Sequence, residues 1–132
     1  VIPAVNQLEC HPFFQREALK RVLDGYGIAF ESWASFAEGK NDIFKNAVLS
    51  GIGEKYGKSS AQVILRWLIQ RGIVVIPKSV KIERMRQNFD IFDFALAPDD
   101  MAAIAALDTG KTLFFDHADP ERVKWIIHAF DK

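Results

Sequence analysis

Lys78, Ser79 and Arg84 carry the most chemistry in this sequence. An ammonium and a guanidinium six residues apart, with a hydroxyl beside the first, are the donors that a phosphate requires. Directly before them, Ile73 to Ile76 is an apolar run without polar alternation, which predicts a parallel strand covered on both faces. Pro77 ends it. In parallel sheets ligands gather beyond the carboxyl ends of the strands, where Lys78 and Ser79 then stand. A short helix predicted from Lys81 to Asn88 would add its N-terminal N–H groups to the same anion. Its Gln87 and Asn88 either bond a purine edge or cap the helix end. The plainer alternative for the two cations is a solvated basic helix start.

Gln7 stands at the carboxyl end of a predicted strand, where a carboxamide can donate and accept together, as recognition of another amide demands. It reads equally as a core glutamine bonded to backbone. Trp33 follows the next strand and either presents its face to a flat ring or fills the core. His11, in a Cys-His-Pro corner beside the lone Cys10, reads as structural, and His128 on the last helix as a surface residue. Asp116-His117-Ala118-Asp119 has no second cluster at ligand spacing, so no metal site is predicted. The sequence shows no nucleophile–base pair and no glycine-rich phosphate fingerprint of the Rossmann or Walker type.

The elements that must position these residues alternate. Ala4 to Glu9 reads as a strand closed by the His11-Pro12 corner. Gln15 to Leu23 reads as a helix with Ala18, Leu19, Val22 and Leu23 at helical spacing, stopped by Gly25 and Gly27. Ile28 to Glu31 is the second strand. Asp42 is read as the N-cap of a helix ending at Gly57, and Ser59 with Gln62 as a capping box opening a helix to Gly72. The third strand, Ile73 to Ile76, comes next, and helices starting near Lys81, Pro98 and Pro120 complete the chain. The connections suit right-handed parallel crossovers, which predicts an α/β architecture. Three strands are too few for a covered sheet, and a βα barrel needs eight to close, so the chain reads as part of a larger sheet. Its start at Val1, almost inside the first strand, reads as a cut from something longer.

The 132 residues fit one domain, and a 49% apolar content excludes disorder. Seventeen basic residues balance seventeen acidic ones, which argues against nucleic acid or an anionic membrane as partner and leaves any anion to a local cluster. A small-molecule partner follows. One cysteine excludes an internal disulfide and fits a reducing cytoplasm. No apolar run approaches a membrane span.

Pro3 to Pro12, reading PAVNQLECHP, and Ile76-Pro77-Lys78-Ser79-Val80 through Arg84 and Asn88 resemble two signature segments of the aldo-keto reductases. The resemblance covers essentially the whole chain, residues 1–132, as the C-terminal part of that domain. It implies a partial TIM barrel: the sixth to eighth strands with the C-terminal helices. Glu31-Ser32-Trp33-Ala34 and Phe114-Phe115-Asp116-His117 are similar to the bacterial group around the 2,5-diketogluconate reductases. The family reduces aldehydes or ketones with NADPH, and the resemblance carries over binding roles only. Gln7 would bond the nicotinamide carboxamide and Trp33 would stack on the ring. Backbone at Ala34 and Phe36 would meet the pyrophosphate, where the family usually has Ser-Pro-Leu in place of Ala34-Ser35-Phe36. Lys78, Ser79 and Arg84 would hold the adenosine 2′-phosphate, and Val80 would belong to the same cofactor-binding segment. Gln87, in place of the usual Glu, and Asn88 would face adenine. The family's catalytic Asp, Tyr, Lys and His lie on strands that precede this region, so the isolated chain is expected to be inactive. The alternative is a non-catalytic dinucleotide-binding or regulatory module. In either case open sheet edges predict self-association.

Overall fold

The short apolar runs become β1 (Val5–Glu9), β2 (Ala29–Trp33) and β3 (Val74–Val75) in the computed structural model, which describes residues 1–116 and 119–129. They form one parallel sheet in the order β1-β2-β3, with Val5 opposite Ala29, Gln7 opposite Glu31, and Glu31 opposite Val74. Helix α1 (Glu17–Tyr26) joins the first two strands, and α2 (Ala47–Tyr56) and α3 (Ser60–Gln70) join the second to the third. After β3 come α4 (Ile82–Phe89), α5 (Pro98–Ala105) and α6 (Pro120–Ala129).

Register puts alternate residues on opposite faces. Leu8, Phe30, Ile73 and Val75 face the helices and join a core built around Leu23, Ile64, Trp67 and Leu68. Val5, Gln7, Glu9, Ala29, Glu31, Trp33 and Val74 share the other face, which the described residues cover at its Glu9–Trp33 end alone, with the loop at 112–115.

The third strand departs from expectation. It is two residues long, and of the run only Ile73 is buried; Val74 is 46% and Ile76 57% exposed. The sequence lacks alternation because both faces are apolar, but β3 lies at the sheet edge and its second face has no partner layer here.

Two helix boundaries also differ. Helix α1 runs through Gly25 and stops at Gly27, whose φ of 67° is the left-handed conformation a glycine adopts without strain. Its Val22 is exposed, so of the expected apolar stripe Leu23 alone is fully buried. Asp42 caps nothing: it has φ 48° within a kinked 3-10 segment, Ala37–Lys45. Asn46 caps α2 instead, its side-chain oxygen accepting the N–H groups of Val48 and Leu49 at 3.0 and 3.2 Å. The capping box at Ser59 and Gln62 forms as read, opening α3.

Asp100 at the start of α5 is a junction. It accepts hydrogen bonds from Lys55 Nζ, the Tyr56 hydroxyl and the Ala97 N–H, tying α5 to α2. Burial alone would raise its pKa, but those hydrogen bonds hold the carboxyl below its ordinary value. Among the described residues no helix is long and apolar enough to cross a membrane.

Candidate functional site

Between α3, α4 and the segment after β2 lies a cavity of about 290 Å³. Six of the residues singled out from the sequence line it: Phe36, Lys78, Ser79, Arg84, Gln87 and Asn88. Lys78 and Ser79 arrive on the loop that leaves β3, and Arg84, Gln87 and Asn88 on α4, whose 3.6-residue period brings positions 84, 87 and 88 to one side. No aspartate or glutamate lines the cavity, and neither Lys78 nor Arg84 has an ion-pair or hydrogen-bond partner among the described residues.

Phe44, Ser59, Ser60 and Ala61 complete the wall, and none of them was singled out as a site residue. Ser60 and Ala61 are the first two residues of α3, so their N–H groups lack intrahelical partners and the positive end of the helix dipole opens on the cavity. The capping box marked this helix start in the sequence; its proximity to Lys78 is a product of tertiary folding. The Ser60 hydroxyl is held by the Phe44 carbonyl at 3.0 Å, and the Phe36 and Phe44 rings lean together at 5.6 Å. Two cations, a helix N-terminus and an aromatic wall can receive a phosphate attached to a flat heterocycle.

Other expected site residues lie elsewhere. Val80 is 87% exposed and does not line the cavity. Ser79's hydroxyl accepts the Lys81 N–H at 3.1 Å. Gln7, Ala34 and Trp33 belong to the open sheet face and its rim. Gln7 is neither buried nor bonded to backbone: its Nε2 donates to Glu31 Oε1 at 2.7 Å. Trp33 contacts Phe114, centroids 4.9 Å apart, and stacks on Phe115 at 6.3 Å. Ala34 has φ 53°, turning the chain from Trp33 toward Phe36. The Ser35 hydroxyl is buried and shares a hydrogen bond with the Ser32 hydroxyl at 2.8 Å.

A C-terminal loop is seated beside Trp33 by residues that sequence reasoning did not select. Glu9 is 3% exposed at the end of β1, and its carboxylate accepts the Thr112 hydroxyl, the Leu113 N–H at 2.9 Å and a bond from His11 Nε2 at 3.0 Å. From the other side Lys40 Nζ donates to the Leu113 carbonyl at 2.9 Å and lies 3.9 Å from the Phe114 ring centre. Burial lowers the His11 pKa against the opposing pull of Glu9. Burial also pushes the Cys10 thiol up to about 11, despite nearby Arg71, so Cys10 is no nucleophile at neutral pH. Among the described residues no group of three or more His, Cys, Asp or Glu is placed to hold a metal ion. His117 and Ala118, the middle of the acidic loop motif, lie outside the described residues.

The sequence profile of the Aldo/keto reductase family matches residues 1–109. An aldo-keto reductase of Mycolicibacterium smegmatis is 47% identical over 113 residues, covering 86% of this chain and 40% of that protein. Methylglyoxal reductase DkgA of Escherichia coli is 42% identical over 113 residues, covering 86% of this chain and 41% of its own. Among solved structures, a variant of Gox0644 in complex with NADPH superposes with a TM-score of 0.81 at 40% identity, over 85% of this chain and 41% of that one. An aldo-keto reductase from a deep-sea metagenome library gives a TM-score of 0.85 at 38% identity, over 90% and 44%. The chain thus spans about two-fifths of the length of the curated relatives it matches. With a three-stranded parallel sheet that forms an arc of the same barrel, and a family match across most of its length, this chain belongs to the aldo/keto reductase family.

Proposed function

We propose that residues 1–132 are the C-terminal, cofactor-holding part of an NADPH-dependent reductase that converts a small aldehyde or ketone to an alcohol. The supporting observation is the cavity in which Lys78 and Arg84 stand without a carboxylate partner among the described residues. Two unneutralised cations beside a helix N-terminus fit the adenosine 2′-phosphate that separates NADPH from NADH. Gln87 and Asn88 then meet the adenine edge, and the backbone from Ala34 to Phe36 leads toward the sheet face where Trp33 and Gln7 receive the nicotinamide. The bound dinucleotide supplies hydride. Trp33, backed by Phe114 and Phe115, holds the ring plane, and the loop pinned by Glu9 and Lys40 forms an apolar wall for the carbonyl compound.

The proton for the carbonyl oxygen has no donor among these residues. Tyr26 is exposed on α1, and the Tyr56 hydroxyl is committed to Asp100 and the Ala97 N–H. A tyrosine acid must stand beside the nicotinamide to act. On this reading the chain binds cofactor but does not turn over by itself. The relative DkgA is named for methylglyoxal, which suits a small carbonyl substrate here. A single buried thiol fits a cytoplasmic setting. A non-catalytic dinucleotide-binding or regulatory module is the alternative reading, and it would share the same cavity.

Titrating the chain with NADPH and following tryptophan fluorescence tests the reading. Saturable quenching that weakens as salt rises is expected, because the phosphate contacts are ionic. No quenching at millimolar NADPH would refute it.

A further inference from the structure

A hydrogen bond between neighbouring strands on the open sheet face fixes a polarity. Gln7 and Glu31 are register partners on β1 and β2, and Gln7 Nε2 donates to Glu31 Oε1 at 2.7 Å. A carboxamide's oxygen and nitrogen ends are nearly alike in shape, so its orientation is chosen by its partners. Ionised Glu31 can only accept, and so takes the nitrogen end. That leaves Gln7 Oε1 and its second N–H without a partner among the described residues. Trp33 lies two residues beyond Glu31 on the same face. A donor and an acceptor of fixed sense beside an indole match a flat ring bearing an amide.

We propose that Glu31 is a positioning residue that locks the Gln7 carboxamide in one orientation, and thereby makes the site select a nicotinamide over a nicotinic acid dinucleotide. This rests on the cofactor reading above. A nicotinamide offers one acceptor and one donor, and satisfies both free groups of Gln7. A nicotinate offers two acceptors: one takes the Gln7 N–H, and the other is set against Gln7 Oε1 with no proton between them. Were Glu31 replaced by glutamine, the partner could donate as well as accept. Gln7 would then be free to turn over and present its nitrogen end, and the discrimination would fade.

The test compares the affinities of NADP+, its nicotinic acid analogue, and adenosine 2′,5′-bisphosphate, which lacks the ring. The wild-type chain is expected to prefer NADP+ over the analogue by about tenfold, the worth of one hydrogen bond to a mismatched acceptor. Glu31→Gln is expected to shrink that preference to about threefold or less while leaving the bisphosphate unchanged. Because Glu31 also repels a carboxylate directly, the same substitution is made in a Gln7→Leu background. There it is expected to have little effect on the preference, since the action runs through Gln7. An unchanged preference in Glu31→Gln, or an equal effect with and without Gln7, would overturn the proposal. So would weaker bisphosphate binding in Glu31→Gln, which marks a general structural role. Normal bisphosphate binding with no wild-type preference for the amide would overturn this inference alone. Failure of the wild type to bind bisphosphate and dinucleotide alike would remove the cofactor reading with it.

Discussion

Lys78, Ser79 and Arg84 do not contribute equally, although the sequence presents them as a set. Ser79's hydroxyl is occupied by the N–H and carbonyl of Lys81, whereas the two cations have no partner among the described residues. Ser79→Ala is therefore expected to weaken NADPH binding by about twofold or less, and Arg84→Ala by about tenfold, since a charge-assisted contact is worth more than a shared hydroxyl. Isothermal titration of the two variants checks the ranking; equal losses would show that the hydroxyl leaves Lys81 for the ligand. The site was legible where its residues are neighbours in sequence, as from Lys78 to Asn88. It was illegible where folding joins distant segments: Phe44 reaches the cavity from the 3-10 segment before α2 and Ser59 to Ala61 from the start of α3, and Glu31 meets Gln7 across 24 positions.

The helices show how local signals succeed and fail. The capping box at Ser59 formed as written because both partners lie within one turn. Asp42 lost to Asn46 because the backbone before α2 takes a series of left-handed residues, which residue type alone does not announce. Within α2 two glycines look alike in sequence and differ in space. A Cβ on Gly51 meets nothing, while one on Gly53 strikes the Lys58 carbonyl oxygen at the turn into α3. Gly51→Ala is expected to stabilise the fold by about 0.5–1 kcal/mol and Gly53→Ala to destabilise it, as read by urea denaturation. Matching gains at both positions would contradict the packing described here. Acid should act on two elements in turn. His11 at the end of β1 has a lowered pKa through burial, so the stability it lends is complete above the unfolded value of about 6.5 and fades as the pH falls through its lower folded value. Asp100 on α5, lowered by its hydrogen bonds, keeps its contribution down to the unfolded value of about 3.9 and loses it as the pH drops through the folded one. Denaturation midpoints measured against pH are expected to decline in two stages, with the second reduced in Asp100→Asn, where Asp93, also lowered by its hydrogen bond from Lys58, still titrates.

At the scale of the whole molecule, the arc of three strands has one covered face and one open one. Both β1 and β3 pair on one side only, and Val5, Val74 and Ile76 on the open face are 51%, 46% and 57% exposed. Beside them Met85, Phe89 and Phe92 form an apolar flank at 45%, 78% and 62% exposure. Unpaired edges and exposed apolar side chains favour association. Sedimentation is expected to show concentration-dependent assembly, reduced in Ile76→Lys; a clean monomer at high concentration would contradict it. The sequence made the strand order and parallel sense readable through the helices between them. Three strands also announced an incomplete sheet, but Ile73 to Ile76 did not show which face lies open, because apolar residues are written the same whether or not a covering layer is present. With no tyrosine beside Trp33, an absorbance assay of NADPH oxidation with a small aldehyde is expected to show no turnover by this chain.

On the proposed reading, Lys78 and Arg84 recognise the 2′-phosphate together. The direct measurement is the ratio of NADPH to NADH affinity in the wild type and in the Lys78→Ala, Arg84→Ala double variant. The wild type is expected to favour NADPH by about a hundredfold, and the variant to bind the two within about threefold of each other, with NADH affinity nearly unchanged. Equal affinities in the wild type, or a preference that survives loss of both cations, would contradict the claim.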